Sequence, residues 1–257
     1  MELSKRMLVV AQMVSPGGVA CDVGCDHGYV PIYLIQQKIC KKVIAMDVGM
    51  GPLSRAQEHI RDCGLEAYIE TRLSDGVAAL LSGEAQSVII AGMGGRLVRK
   101  ILSEGREKIA ALQELILQPQ SELTQVRGFL CREGFLLLDE DIIYEDGKYY
   151  PILKAVYAPK EAREQARELY GAEDGDTLQK RAGEQYGPLL LKKAHPVLQQ
   201  YLLWEQRHEE EICVRLRQED GERCRQRLKT LQEREVLRRY ALSSIARAQR
   251  AAGKLFF

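Results

Sequence analysis

The segment Asp22-Val23-Gly24-Cys25-Asp26-His27-Gly28-Tyr29 sets two carboxylates, a thiol, an imidazole and a phenol among glycines. Glycine-punctuated turns after a strand bring backbone close to nucleotide-like ligands, and the dinucleotide pattern G-x-G-x-x-G would require glycine at position 26. Asp26 stands there instead. A carboxylate repels a pyrophosphate and obstructs its approach, but it attracts the sulfonium and α-ammonium groups of S-adenosylmethionine. Asp22 and Asp26 therefore favour that cofactor over NAD, with Asp22, Gly24, Cys25, Asp26 and Gly28 as the residues that hold it.

Further polar and glycine positions suit the same site. Asp47-Val48 places a carboxylate where ribose hydroxyls are bound. Ser74-Asp75-Gly76 offers a side-chain acceptor to an adenine exocyclic amine. Gly92-Met93-Gly94-Gly95 lets the chain pass close to a methyl group and an incoming flat base, with Met93 packed on the cofactor. Gln118-Pro119 faces the same crevice. Each of these is more often a plain turn than a site. What distinguishes them is that all would follow successive strands, at one edge of a sheet.

The elements that must position them come in two regimes. Strands are expected at 19–23, 43–47, 68–73, 88–91 and 114–118, bounded by Gly, Asp or Pro. Helices are expected at 3–14, 31–40, 52–63, 76–81, 95–112 (broken near Gly105) and 121–133. Such alternation builds a parallel sheet covered by helices on both faces. Strands at 135–144 and 149–156 are separated only by Glu145-Asp146-Gly147-Lys148, a hairpin link that forces antiparallel pairing. A mostly parallel sheet ending in one reversed strand is the class I methyltransferase pattern. From 158 onward only helices are expected: 160–170, 177–186, 189–193, 196–218 and 222–241, the last two separated at Glu219-Asp220-Gly221. Leu198, Tyr201, Leu202, Ile212 and Leu216 would face Cys224, Leu228, Leu231, Leu237 and Tyr240 across a coiled-coil-like seam, with Glu205 and Glu209 spoiling its packing and fraying from about Gln249. The division into domains is thus 1–157, catalytic, and 158–257, helical.

Composition narrows the class. The 257 residues are 46% hydrophobic and 28% charged, an ordinary globular balance. No apolar run reaches the roughly 18 residues of a membrane span, and the amino terminus has no signal-peptide pattern. Seven cysteines without a C-x-x-C pair argue against a disulfide framework or zinc knuckle. No metal, no membrane and no obligate protein partner are expected, and the cytoplasm is the expected location. Residues 158–257 carry 20 Lys/Arg against 16 Asp/Glu, the remainder 17 against 20, and 215–250 alone 11 against 5. A basic appendage on a slightly acidic body suits either a polyanionic partner or a solvated helical face.

Leu3-Ser4-Lys5-Arg6, Asp22-Val23-Gly24-x-Asp26-His27-Gly28-Tyr29-x-Pro31, Asp47-Val48 with Gly51-Pro52-Leu53, Ser74-Asp75-Gly76, Ala91-Gly92-Met93-Gly94-Gly95 and Leu117-Gln118-Pro119-Gln120 together resemble the TrmK family, the bacterial tRNA (adenine(22)-N1)-methyltransferases. The resemblance extends to Glu145-Asp146-Gly147-Lys148-Tyr149-Tyr150 and Tyr186-Gly187-Pro188-Leu189-Leu190 and covers essentially the whole chain. Serine is common in the family where Cys25 stands, and asparagine at Gln120. The resemblance implies a Rossmann-like catalytic domain with a helical partner domain, S-adenosylmethionine as cofactor, tRNA as partner and adenine N1 as acceptor. That nitrogen has a free lone pair and needs no base, but its product ring is cationic. Asp26 either stabilises that charge or only shapes the turn. His27 is proton-active or structural. Tyr29 stacks on adenine or cofactor, or is a core aromatic capping the first helix. Lys5, Arg6, Gly95, Gln118 and Pro119 would meet the substrate, which must be extruded to expose N1. Arg225, Arg227 and Lys229, with Arg215, Arg217, Arg223, Arg238 and Arg239, would hold phosphates or else be surface charge. A small-molecule methyltransferase, an NAD-dependent oxidoreductase and a non-catalytic RNA-binding module are the competing classes.

Overall fold

The computed structural model describes residues 3–170, 177–218 and 221–253. Its elements run α1 (Lys5–Gln12), β1 (Val19–Val23), α2 (Tyr29–Gln36), β2 (Lys42–Asp47), α3 (Met50–Asp62), β3 (Ile69–Leu73), β4 (Ser87–Met93), α4 (Gly95–Glu104), α5 (Arg106–Ala110), β5 (Glu114–Pro119), α6 (Leu123–Arg132), β6 (Phe135–Glu145) and β7 (Lys148–Tyr157). Helices follow: α7 (Pro159–Tyr170), α8 (Leu178–Tyr186), α9 (Pro188–Lys192), α10 (Pro196–Leu216) and α11 (Glu222–Gly253). The chain forms two compact units, Met1–Arg163 and Glu164–Phe257, divided inside α7. No helix among the described residues is long and apolar enough to cross a membrane.

In the first unit one sheet takes the order β3-β2-β1-β4-β5-β7-β6. β1 pairs in parallel with β2 and β4, β2 with β3, and β4 with β5. β7 runs antiparallel to both β5 and β6 and is the one reversed strand. Its direction comes from Asp146 and Gly147, whose φ of 48° and 78° make a two-residue turn between the paired Glu145 and Lys148. Positive φ at both positions matches the twist of an antiparallel ladder. The expected mostly parallel sheet with a terminal hairpin is what forms. β1, β5 and the first four residues of β4 are almost continuously buried, with Ile89, Ile90, Ile116 and Leu117 fully inaccessible, as strands covered on both faces must be. Strand order reverses between β1 and β4, the switch point outside whose carboxyl ends sheets of this kind bind their ligands.

Two local expectations are corrected. No helix forms over 76–81: Ser74 Oγ donates to the Gly76 carbonyl at 2.9 Å and accepts from Ala79 N–H at 3.0 Å, closing the segment as turns. The helix expected over 31–40 starts earlier and ends at Gln36, because Lys38 adopts φ 56° and Ile39 and Cys40 both donate to the Leu34 carbonyl, at 2.9 and 3.2 Å. The expected break at Gly105 is present, between α4 and α5.

In the second unit α10 and α11 pack antiparallel, with Gln199 against Gln249 and Glu209 against Arg238. Leu198, Leu202, Leu231, Leu237, Ala241 and Ile245 are buried. Glu205 and Glu209 do not spoil the seam. Tyr186 and Tyr201 hydroxyls donate to Glu205 at 2.7 and 2.9 Å, and Arg234 and Arg238 donate to Glu209. Of the expected turn at 219–221, Glu219 and Asp220 lie outside the described residues. α11 continues past Gln249 to Gly253, and residues 254–257 lie outside them too.

Candidate active site

Past the end of β1 the chain turns beneath β2. Gly24 and Cys25 N–H groups both donate to the Met46 carbonyl, at 2.8 and 3.0 Å. The Asp47 carboxylate takes the next free amides: Oδ1 accepts from Gly49 at 2.9 Å and Oδ2 from Asp26 at 3.3 Å. One buried aspartate thus ties together the loops that follow β1 and β2. Asp22 is buried on the neighbouring strand, and burial, reinforced by the charge of Asp47, lifts its pKa from 3.8 to about 7. Two buried carboxylates near adjacent strand ends favour positive charge beside them. Beside them Val48 is 70% exposed, and Leu73, the register partner of Asp47, is exposed as well. This is a flat apolar flank suited to a ring. Burial pushes the Cys25 thiol far above the thiol range, so it packs and does not react. The acidic pair, the amide-lined loop and the apolar flank fit a cationic adenosyl cofactor.

Asp26 adopts φ 42°, a conformation that aspartate tolerates, and its side chain is 58% exposed. Its Oδ1 accepts from Arg55 Nη2 at 2.9 Å, and Oδ2 lies 3.4 Å from His27 Nε2. The rings of His27, Tyr29 and His59 stack on one another with centroids 5.2 to 5.7 Å apart and interplanar angles of 11° to 23°. His59 Nδ1 lies 2.9 Å from the His27 carbonyl oxygen; a carbonyl only accepts, so that nitrogen donates. Tyr29 opens α2 and is 39% exposed, so it is a surface ring and not a core aromatic. Arg55 and His59 are functional neighbours that sequence reasoning missed. Their spacing of four on α3 puts them on one helix face, but nothing in that spacing says which loop the face meets.

Around the crevice, Ser74 is buried with its hydroxyl engaged in its own turn, leaving the exposed Asp75 carboxylate as the acceptor beyond β3. β4 bulges between Ala91 and Met93. Gly92 N–H there donates to Gln118 Oε1 at 3.1 Å, and Arg6 Nη1 donates to the same oxygen at 3.1 Å. Two donors on one oxygen fix the amide orientation, so Gln118 turns its NH2 group the other way. The Arg6 guanidinium also lies 5.0 Å above the Tyr150 ring. α1, capped at its start by Ser4 on Met7, is anchored through Lys5 N–H, which donates to Glu145 Oε1 at 2.5 Å. The hairpin therefore positions α1 as well as β7, and Tyr150, part of a hairpin motif to which the sequence assigned no site role, lies beside Arg6. The Met93 side chain lies against Gly24. Gly95 is not open to a substrate: it is buried, its N–H donates to Ser121 Oγ at 3.3 Å, and a Cβ would strike the Ser121 carbonyl. The exposed glycines are Gly92 and Gly94. Pro119 is buried at the end of β5.

Arg225, Arg227 and Lys229 are exposed on α11, as are Arg215, Arg217, Arg223 and Arg239 in the same unit. Arg238 is corrected: at 3% exposure and bonded to Glu209, it cannot reach a phosphate. Among the described residues no group of three or more His, Cys, Asp or Glu could hold a metal ion.

Comparison with known proteins agrees with this geometry. A family described as "Methyltransferase domain" matches residues 3–153. The tRNA (adenine(22)-N(1))-methyltransferase of Bacillus subtilis (strain 168) is 35% identical over 91% of this chain and 94% of its own length. The crystal structure of the B. subtilis m1A22 tRNA methyltransferase TrmK superposes with a TM-score of 0.78 at 33% identity, covering 94% of this chain and 99% of that one. Streptococcus pneumoniae Sp1610, solved in complex with S-adenosyl-L-methionine, superposes with a TM-score of 0.71 at 31% identity, covering 96% and 99%.

Proposed function

The chain belongs to the TrmK family of tRNA (adenine(22)-N1)-methyltransferases, and from that premise we propose that it methylates N1 of adenine 22 in tRNA, with S-adenosylmethionine as donor. What carries the reading is the extent of the likeness to the Bacillus subtilis enzyme. Its 235 aligned residues reach well beyond the first unit, Met1–Arg163, into the helical one.

When bound, S-adenosylmethionine supplies a methyl group on a cationic sulfur. Adenine N1 attacks in line with the carbon–sulfur bond; the N–C bond forms as the C–S bond breaks, the sulfur keeps the electron pair, and the positive charge passes to the adenine ring. No proton has to leave N1 first, so the residues of this chain have to bind, align and compensate charge. Asp22 and Asp47 take the cationic and ribose ends of the cofactor, with Gly24, Cys25, Gly28 and Val48 shaping its bed. Asp75, Gly76, Gly92, Met93 and Gly94 border its adenine and methyl ends. Tyr29 stacks on the target base, with His27 beneath it, and Asp26 offsets the charge that develops on the ring. Arg6 meets the base at the end of β5, held there by Gln118, which with Pro119 is buried and does not reach the base itself; Lys5 meets the RNA nearby, and Arg225, Arg227 and Lys229 hold phosphates. An enzyme of this kind works in the cytoplasm, where tRNA matures.

Incubation with labelled cofactor and total tRNA should place 1-methyladenosine at position 22. Label at another nucleoside, or only in small molecules, would overturn the reading. Asp26→Ala should lower turnover about 10²-fold while the protein stays folded; near-normal turnover removes Asp26 from the chemistry.

A further inference from the structure

We propose that His59 is a positioning residue for methyl transfer: it sets the ring planes of His27 and Tyr29 against which the target adenine stacks. The inference rests on the reading that Tyr29 meets the base.

One side chain makes three contacts with the loop. The His59 ring stacks on His27 at 5.7 Å and on Tyr29 at 5.2 Å, while its Nδ1–H donates to the His27 carbonyl at 2.9 Å. That carbonyl precedes α2 and has no place in the helix ladder, so His59 supplies its partner.

Hydrogen bonding does not orient the His27 ring. Its Nδ1 is buried with no hydrogen-bond partner among the described residues, and its Nε2 is 3.4 Å from Asp26 Oδ2, longer than a good bond. Stacking is what remains to fix the plane. Up to Asp26 the loop is held by backbone bonds to Met46 and Asp47, but those bonds leave the rings beyond it free to turn, and the Arg55–Asp26 side-chain pair that reaches α3 is exposed; such pairs hold weakly. α3 is a firm reference: Leu53, Ala56 and Ile60 bury its inner face, and His59 is adjacent to Ile60. The rings are therefore registered to the core through His59. For an in-line displacement, a small tilt of the stacked base moves N1 off the carbon–sulfur axis, which shows in turnover more than in binding.

Full-length variants test this by kcat, tRNA KM, cofactor Kd and melting temperature. His59→Ala should lower kcat about tenfold, with tRNA KM and cofactor Kd little moved. His59→Phe, which keeps a flat ring, should recover most of that loss; His59→Gln, which keeps an N–H donor without a ring, should not. In a Tyr29→Ala background, His59→Ala should add little, because both act through one contact. Loss of kcat in step with melting temperature and cofactor affinity, equal loss in the Phe variant, or full additivity with Tyr29→Ala would each overturn the proposal. If Tyr29→Ala is impaired but His59→Ala is not, this inference alone fails. Full turnover by Tyr29→Ala removes the stacking role and the inference together.

Discussion

Asp22 is a carboxylate whose charge the folded protein resists. Its pKa rises from 3.8 to about 7, first by burial and then by Asp47. A raised folded value means that the native state holds the proton more tightly than the unfolded chain does. The stability this contributes is fully present below about pH 4 and is lost as pH climbs through about 7. A cation bound beside Asp22 reverses the preference, so binding below about pH 7 expels the proton. Cofactor affinity should therefore strengthen from about pH 6 to pH 8 and then level off. Calorimetry in two buffers of different ionisation enthalpy should register the released proton at the acidic end. A flat affinity profile would take Asp22 out of the cofactor site. At Gly95 the effect is steric: Gly95→Ala meets the Ser121 carbonyl, Val126 and Glu122, and should cost about 1–3 kcal/mol in denaturant unfolding. The acidic and glycine positions at strand ends were legible because a residue type after a strand is local information. Arg55, His59 and the packing duty of Gly95 were not, because each depends on a neighbour distant in sequence.

Elements were legible where their signals were short-range. The turn Asp146-Gly147 announces its own geometry, and the buried strands announce themselves as apolar runs between glycine and aspartate. The segment 76–81 misled because the Ser74 hydroxyl captures the amide and carbonyl that a helix start would use. Glu205 and Glu209 looked like flaws because their partners come from other places: Tyr186 on α8, and Arg234 and Arg238 on α11. Burial, with the charge of Glu209, pushes the Glu205 carboxyl upward, while the Tyr186 and Tyr201 hydroxyls and the Arg234 charge oppose that shift. Removing one member of such a group leaves a charge stranded. Arg238→Ala should destabilise the helical unit by about 3–5 kcal/mol, and replacing Arg238 and Glu209 together by methionine and leucine should restore part of it. Equal midpoints for parent and Arg238→Ala in thermal unfolding would show that the cluster contributes nothing. tRNA affinity, measured where the variant is folded, should not follow Arg238.

At the scale of the whole molecule, the chemistry and the charge lie in different units. The first unit holds the acidic crevice, and its residues explain why a cationic cofactor and a flat base are accepted. They do not explain how a whole tRNA is chosen over a free nucleoside. On the proposed reading the 11 basic against 5 acidic residues in 215–250 would supply the missing attraction, although not all of them are available. Arg234 and Arg238 are held by Glu209, while among the described residues Arg225 and Arg239 pair in exposed bonds with Glu222 and Glu235. Exposed pairs hold by less than about 1 kcal/mol and yield readily to a phosphate. If Arg225, Arg227 and Lys229 each neutralise one phosphate, replacing all three by alanine should lower the slope of log K for tRNA against log salt by about 2–3. KM for tRNA should rise at least about tenfold at physiological salt, while kcat at saturating tRNA and the cofactor Kd stay close to the parent values. Arg6→Ala makes the counter-experiment: it removes the guanidinium beside Gln118 and Tyr150, and should lower kcat with little change in the salt slope. A triple variant that keeps the parent slope and KM would mean that the helical unit's charge is only solvated surface, and that tRNA is gripped by the catalytic unit alone.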